Sequence, residues 1–476
     1  MKKILSLLLV VCTAFSCCMF FASCDKVDTK AVEKDPYATL TDASANSMEA
    51  FFSDDAEIGS IIASALKSGS MSIDFKGNAD LLGEKTAINE TIYFNQKKHQ
   101  YVSDTSVKYG EESIQARIFF DKDGIMVKSQ DILGSENALS LNFSTLAEQF
   151  KGSALEKMLS LDPSSVNEVV KALEMVRDLY TETITGKNQD AAVTLANDIY
   201  QLLNQTVSTE SIETADSKAV ECVVASYTIT NQNLKAVINR CVEELNLTGE
   251  LKSQVKEAVE DTCHQLDDTA AINLTEKIYV NKKSNAFEKI SVNGTVVIND
   301  GGMAQATVSA EILFNENEIR LTGNVTLDGA KYDADATLTK ETSGNNVIYS
   351  LKLNAGDGKG ATVNLANASY TYNKKSGDLE IKADIYNPDG NERMTFAVDG
   401  CIEATKDQAT ISFTSAKYMD EKVNFDLSFT FNKKATMPEF PSDAKDIVAM
   451  TEDEWDAFAE DFSNNSKIND FLRYLF

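Results

Sequence analysis

The sequence predicts a mainly β chain with helices, an α+β protein built on a large curved antiparallel sheet or half-barrel packed against several helices, with duplication of the sheet unit left open. Three observations predict it. From Ile272 to Phe431 short segments alternate apolar and polar residues, turn formers such as Asp328-Gly329 and Asp389-Gly390 separate them, and a few other stretches repeat at helical spacing. Strands with one apolar and one polar face belong to antiparallel sheets with a solvated side, not to parallel sheets buried on both sides.

The elements follow in order. Lys2 and Lys3 precede an apolar run, Ile4 to Val11, of secretory-signal length, and the apolar character continues to Phe21-Ala22-Ser23-Cys24, after which polar chain starts at Asp25. This tetrad resembles the lipobox of the bacterial lipoprotein signal family, with Phe21 where Leu is usual. The resemblance implies cleavage before Cys24, a lipidated Cys24 as first mature residue, and a place on the outer face of a membrane. Cys17 and Cys18 would begin the mature chain with Met19, Phe20 and Phe21, so Cys24 is preferred. Two acyl chains on one cysteine suffice for stable anchoring.

Residues 24–50, rich in Asp, Ser, Thr and Ala with little periodic apolar content, read as a flexible tether. Residues 51–66 carry Phe51, Ile58, Ile61, Ile62 and Leu66 at helical spacing. Hairpins then run from Ser70 to Phe143, helices from Leu146 to Leu159, Ser164 to Tyr180 and Asp190 to Leu203, a strand from Ala219 to Thr230, and two helices through Leu234–Leu245 and Leu251–Leu266. Near the end, Thr451 and Glu454 form a capping box leading into Trp455. The domains expected are 1–23 (signal), 24–50 (lipidated tether), 51–213 (strand-rich with a helical block), 214–434 (antiparallel sheet with a helix pair) and 435–476 (C-terminal extension). A word recurs at strand ends: IYFNQKK at 92–98, IYVNKK at 278–283, YTYNKK at 370–375 and TFNKK at 430–434. It marks either duplicated sheet units or a turn that arises easily.

Charge excludes one class of partner. The chain has 45 basic and 73 acidic side chains, net −28, and residues 1–23 hold two lysines and no acid, so the mature chain stands at −30. That sign repels nucleic acid and offers no broad basic surface to anionic lipid. Beyond Cys24 the mature cysteines are Cys222, Cys241, Cys263 and Cys401, with no Cys-x-x-Cys pair. Cys241 and Cys263 fall on consecutive helices and are the pairing to expect if a disulfide forms, the alternative being four small buried residues.

No catalytic, cofactor or metal motif is present. His99 and His264 are the two histidines, and His264 beside Cys263 on a helix points elsewhere than its neighbour. The segment starting at Asp121, Asp-Lys-Asp-Gly, is better explained as a turn than as a calcium loop. The chain is therefore read as non-enzymatic.

Residues 219–287, a strand ending in Thr230, a helix through Leu234 and Leu245, then Ile278, Tyr279, Val280 and Phe287 on later strands, are similar to the lipoprotein-carrier superfamily, the LolA-like and LppX-like proteins. That resemblance implies a half-barrel closed by helices over an apolar cavity, and binding or shuttling of a lipid or other hydrophobic molecule. The expected ligand face carries Phe314, Leu321, Leu338, Leu351, Ile381, Phe425 and Phe429. The competing reading is a structural or protein-interaction module of the envelope with that face packed shut. Partners expected are the membrane through Cys24 and a hydrophobic small molecule or an envelope protein; oligomeric state stays open.

Overall fold

The computed structural model describes residues 29–52, 70–81, 84–134, 138–160, 163–185, 189–214, 218–244, 249–299, 303–327, 329–356, 362–387, 393–419, 421–465 and 467. Cys24 and residues 53–66 of the helix expected over 51–66 lie outside these residues.

In chain order the elements are α1 (Thr29–Lys34), α2 (Pro36–Phe51), β1 (Ser70–Leu81), β2 (Glu84–Asn95), β3 (Gln100–Tyr109), β4 (Glu112–Phe120), β5 (Gly124–Lys128), α3 (Gln130–Leu133), β6 (Ala138–Asn142), α4 (Leu146–Phe150), α5 (Ala154–Leu159), α6 (Pro163–Thr185) and α7 (Gln189–Leu202). There follow β7 (Thr206–Glu213), β8 (Ala219–Thr230), α8 (Asn231–Glu244), α9 (Gly249–Thr269), β9 (Ala270–Asn281), β10 (Phe287–Asn299), β11 (Met303–Phe314), β12 (Glu318–Leu327), β13 (Ala330–Ser343), β14 (Asn346–Gly356) and β15 (Thr362–Asn373). The chain continues through β16 (Asp378–Tyr386), β17 (Arg393–Ala404), β18 (Gln408–Tyr418), β19 (Glu421–Asn432), β20 (Lys445–Asp446) and α10 (Glu452–Ser463).

The expected compact α+β body, a half-barrel packed against several helices, is corrected. Among the described residues twenty strands outweigh the helices, and the fold is an antiparallel sheet architecture. The physical reason is where the helices go. Much of their apolar stripe is satisfied by other helices, α4 against α6 and α8 against α7 and α9. What remains gathers on a few strands, so among the described residues most of the sheet has no helical layer.

The chain divides into two compact units. Unit 1 comprises residues up to Asp54, Gln189–Lys375 and Ile381–Phe396; unit 2 comprises Asp55–Asn188, Ser376–Glu380 and Ala397–Phe476. Unit 1 is a meander in which β7 to β15 each pair antiparallel with the next strand, with registers such as Val292↔Ala310, Leu321↔Ala336 and Leu338↔Leu351. Because side chains alternate, pairs such as these put apolar residue opposite apolar residue on one face. In unit 2, β1 to β6 form a meander in sequence order, and β1 pairs with β19 in a register that includes Phe75↔Phe429. Its helices α4 and α6 close a core of Phe143, Leu146, Phe150, Val166 and Val448. The stretch 146–159 is two short helices and not one, because Gly152 sits at φ +76° between them, a left-handed conformation that ends a helix.

The flexible tether expected over 24–50 is also corrected. Residues 29–51 are helical, and Val32, Leu40, Ala43 and Phe51 are fully buried. Asp35 separates α1 from α2, since a residue before proline avoids the helical region, and its carboxylate accepts from the Ala38 N–H as an N-cap. Hydropathy misses α2 because much of its buried face is small and hydroxylated: Thr41, Ser44 and Ser47 are buried beside Ala43. The Ser47 hydroxyl donates to Ala43 O and accepts from the Phe287 N–H at 2.7 Å, so its polarity is satisfied.

Three of the four Asn-Lys-Lys words are explained by turn chemistry, while at the fourth Asn432 Nδ2 donates across the sheet to Ser72 Oγ and Asp74 Oδ2. Asn95 Oδ1 accepts from the Lys98 N–H, Asn281 Oδ1 from Lys283 and Ser284, and Asn373 Oδ1 from Lys375. Each is an asparagine folding back on the backbone just after a strand, which supplies a reason for the word without duplication. Asp121 does the same, accepting from the Asp123 and Gly124 N–H groups, and the calcium-like segment there is a turn.

Candidate functional site

Unit 1 carries one apolar face that is covered at one end and bare at the other. At the covered end, Val32, Leu40 and Ala43 from α1 and α2 pack on Val223, Ala225 and Tyr227 of β8, Ile278 and Val280 of β9, and Phe287 and Ile290 of β10. Helix α2 ends where Phe51 and Phe52 stack on Tyr349 of β14, at ring distances of 5.7 and 5.2 Å. Lys340, buried on β13, donates to Phe51 O at 2.7 Å, a cation on the last carbonyls of a helix.

Cover stops there. Tyr349 is 4% exposed, whereas Leu351, two residues along the same face of β14, is 38% exposed. The same face continues past Ala366 and Ala368 on β15, which pair with Leu353 and Leu351, to Ile381 and Ile385 on β16 and Met394 and Phe396 on β17. Ile385, Met394 and Phe396 are all 37% to 41% exposed. On the opposite face Arg393 and Thr395 bond Asp384, which fixes β17 beside β16 and leaves the odd-numbered β16 positions on the apolar side. The result is a low strip of large apolar side chains with alanines between them, in a strand region held rigid by its ladder.

The expected ligand residues fall in different surroundings. Phe314 packs on the covered core, 5.7 Å from the Phe287 ring, and Leu338 packs against the Phe51 cluster. Leu321 is half-buried between Ile312 and Ala336. Leu351 belongs to the bare strip, and Ile381, half-buried, lies on the same face. Phe425 and Phe429 lie on β19 in unit 2, where Phe429 meets Phe75 at 5.2 Å. The residues that complete the strip, Ile385, Met394 and Phe396, show the same alternation in sequence as the seven; exposure is what sets them apart, and periodicity does not report exposure.

The cysteines carry no bridge. Cys222, Cys241, Cys263 and Cys401 are all free, so the expected Cys241–Cys263 pairing is not formed, although their helices pack together. Burial, with Glu288 and Glu210 nearby, pushes the Cys222 thiol up to about 12 and leaves it unreactive. Among the described residues no group of three or more His, Cys, Asp or Glu side chains is placed to hold a metal. One acid stands out. Glu276 of β9 lies on the apolar face between Tyr227 and Val292, its Oε1 without a hydrogen-bond partner, and burial pushes it up to about 7.

A depression of about 570 Å³ in unit 2 is lined by Lys151, Gly152, Lys157, Met450, Thr451 and Glu452 among others. It is open and polar, with Lys157 and Glu452 at 3.5 Å, and none of the seven expected ligand residues lines it.

No family model and no curated protein matches the chain. Solved structures retrieved by fold comparison are outer-membrane β-barrels. The translocator domain of the autotransporter NalP from Neisseria meningitidis is 7% identical, with 81% of this chain and 99% of that chain covered and a TM-score of 0.12. Pseudomonas aeruginosa OpdQ is 5% identical over 76% of this chain and 96% of that one, TM-score 0.17, and an anion-selective porin from Comamonas acidovorans is 8% identical over 76% and 98%, TM-score 0.11. Scores this low define no shared fold, and nothing about pores or translocation passes to this chain. The expectation of a lipid carrier is corrected on the exposure alone: among the described residues the apolar strip lies open where a carrier would enclose its ligand.

Proposed function

We propose that this chain is an exported, non-enzymatic lipoprotein, held on the outer face of a membrane through lipid on Cys24, whose bare strip in unit 1 docks a polypeptide partner. The observation that supports it most is the contrast along one face between Tyr349 at 4% exposure and Leu351 at 38%, continued by Ile385, Met394 and Phe396. Contiguous exposed apolar surface on a rigid sheet, backed by a polar face that carries Lys382 and Arg393, is the pattern of an interaction surface. The charge of −30 left after cleavage before Cys24 favours a partner of basic character, since opposite potentials speed encounter and like potentials suppress it.

A photo-crosslinking residue at Met394 in intact cells tests the docking. A discrete protein adduct is expected, lost when Leu351→Ser and Phe396→Ser are added and absent from a crosslinker at Lys382 on the opposite face. Equal adducts from both positions, or adducts to lipid alone, would overturn it. The anchor is tested separately: Cys24→Ala is expected to abolish acyl labelling and release the protein from the membrane fraction.

A further inference from the structure

Resting on the lipid attachment proposed at Cys24, we infer that the α1 and β7 side of unit 1 faces the bilayer surface at close range, because the chain between lipid and body is too short to let the body stand off.

The argument is one of length. Helix α1 begins at Thr29, five residues after Cys24, and is not peripheral: Val32 is fully buried. Val32 O accepts from Gln205 Nε2 at 2.9 Å, immediately before β7 begins. The Tyr37 N–H donates to Asn197 Oδ1 at 2.9 Å, and Asn197 Nδ2 donates to Asp35 Oδ1 at 3.0 Å, fixing the α1–α2 junction to α7. The N-terminal helices are thus fastened to the body by burial and by three hydrogen bonds. Five residues fully extended reach roughly 18 Å at most. A flexible segment covering all of 24–50 would instead have a root-mean-square span of roughly 28 Å and a full reach near 90 Å. The fastened arrangement removes that freedom.

The surface brought to the membrane is mixed in charge: Lys30, Glu33 and Lys34 on α1 are exposed, and Glu210 of β7 is paired with Lys277 at 3.2 Å. Such a surface is neither drawn to nor expelled from a lipid headgroup layer, so the lipid on Cys24 sets the distance. It also orients the protein. The ladder begins at β7, and the bare strip on β14 to β17 starts seven strand steps later, roughly 34 Å along the sheet.

The test uses the full-length lipidated protein in phosphatidylcholine vesicles containing an acceptor-labelled headgroup lipid, with a donor amino acid at Ser208, exposed on β7. Strong energy transfer is expected, falling at least twofold when twenty Gly/Ser residues are inserted between Asp28 and Thr29. A donor at Asn345, in the turn between β13 and β14, should transfer less than one at Ser208. Flotation and intact mass report the anchor independently. Protein that floats and carries lipid but shows the same transfer with and without the insert overturns the apposition alone. Protein that neither floats nor carries lipid removes the anchor, and the apposition with it.

Discussion

The β8–β10 and β14–β17 regions of unit 1 share one sheet face and one alternation, yet the first is a finished core and the second is bare. The difference lies in what the rest of the chain lays over them. Helices α1 and α2 bring Val32, Leu40 and Ala43 onto β8–β10, and the cover ends with Phe51 at Tyr349. A period of two identifies which side chains share a face; whether the face is covered depends on segments far away in sequence.

That comparison can be broken most severely by removing cover. Leu40→Ala in the covered region should cost about 2–5 kcal/mol, the range for a leucine lost from a packed core, read as a lowered midpoint in urea. A cost under about 1 kcal/mol would show that α2 does not hold the core together.

Glu276 sharpens it by pH. Its folded-state pKa is raised above the unfolded one, so the folded state binds the proton more tightly. Stability is full below pH about 4.5, falls as pH rises toward about 7, and is lost above, a penalty on the order of 3 kcal/mol. Glu276→Leu should be more stable than the parent at pH 8 and close to it at pH 4. Parallel pH profiles for the two proteins would mean that the carboxylate finds solvent or a partner.

Lys340→Met tests where cover stops. Losing the charged donor to Phe51 O should cost about 2 kcal/mol and increase hydrogen exchange at the end of α2. No change in either would deny the lysine a fastening role. The smallest effect belongs to the bare strip: Leu351→Ser and Phe396→Ser should each change thermal stability by less than about 1 kcal/mol, since much of each side chain is already in water. A loss like that of Leu40→Ala would show the strip to be core.

Much of the strand pattern was legible. The segments 124–128 and 219–230 and the capping box of Thr451 and Glu454 stand where alternation and capping rules put them. Helix α2 was not, because Ser47 and Thr41 hide well only when their hydroxyls meet partners such as the Phe287 N–H, a contact between residues 240 apart. The candidate site was half legible: Leu351 is in the strip and Ile381 on its face, but Phe425 and Phe429 share their alternation while belonging to another unit. Ser153 caps α5 as expected of its type, yet the break at Gly152 that makes two helices of 146–159 shows only in the backbone.

The pairing of β1 with β19 sets an order of assembly. Ser72 lies opposite Asn432, 360 residues later, whereas β9 to β15 pair with their immediate successors. In the export proposed above, a chain threaded across a membrane from its N-terminus exposes β1 long before β19 arrives. The unit 1 ladder can zip as it emerges, since each new strand finds its partner already present, but β1 must wait with one edge unmatched for nearly the whole passage. Truncation ahead of Glu421 should therefore leave a protease-resistant unit 1 and a degradable β1, since the strand that pairs with the second edge of β1 is then missing.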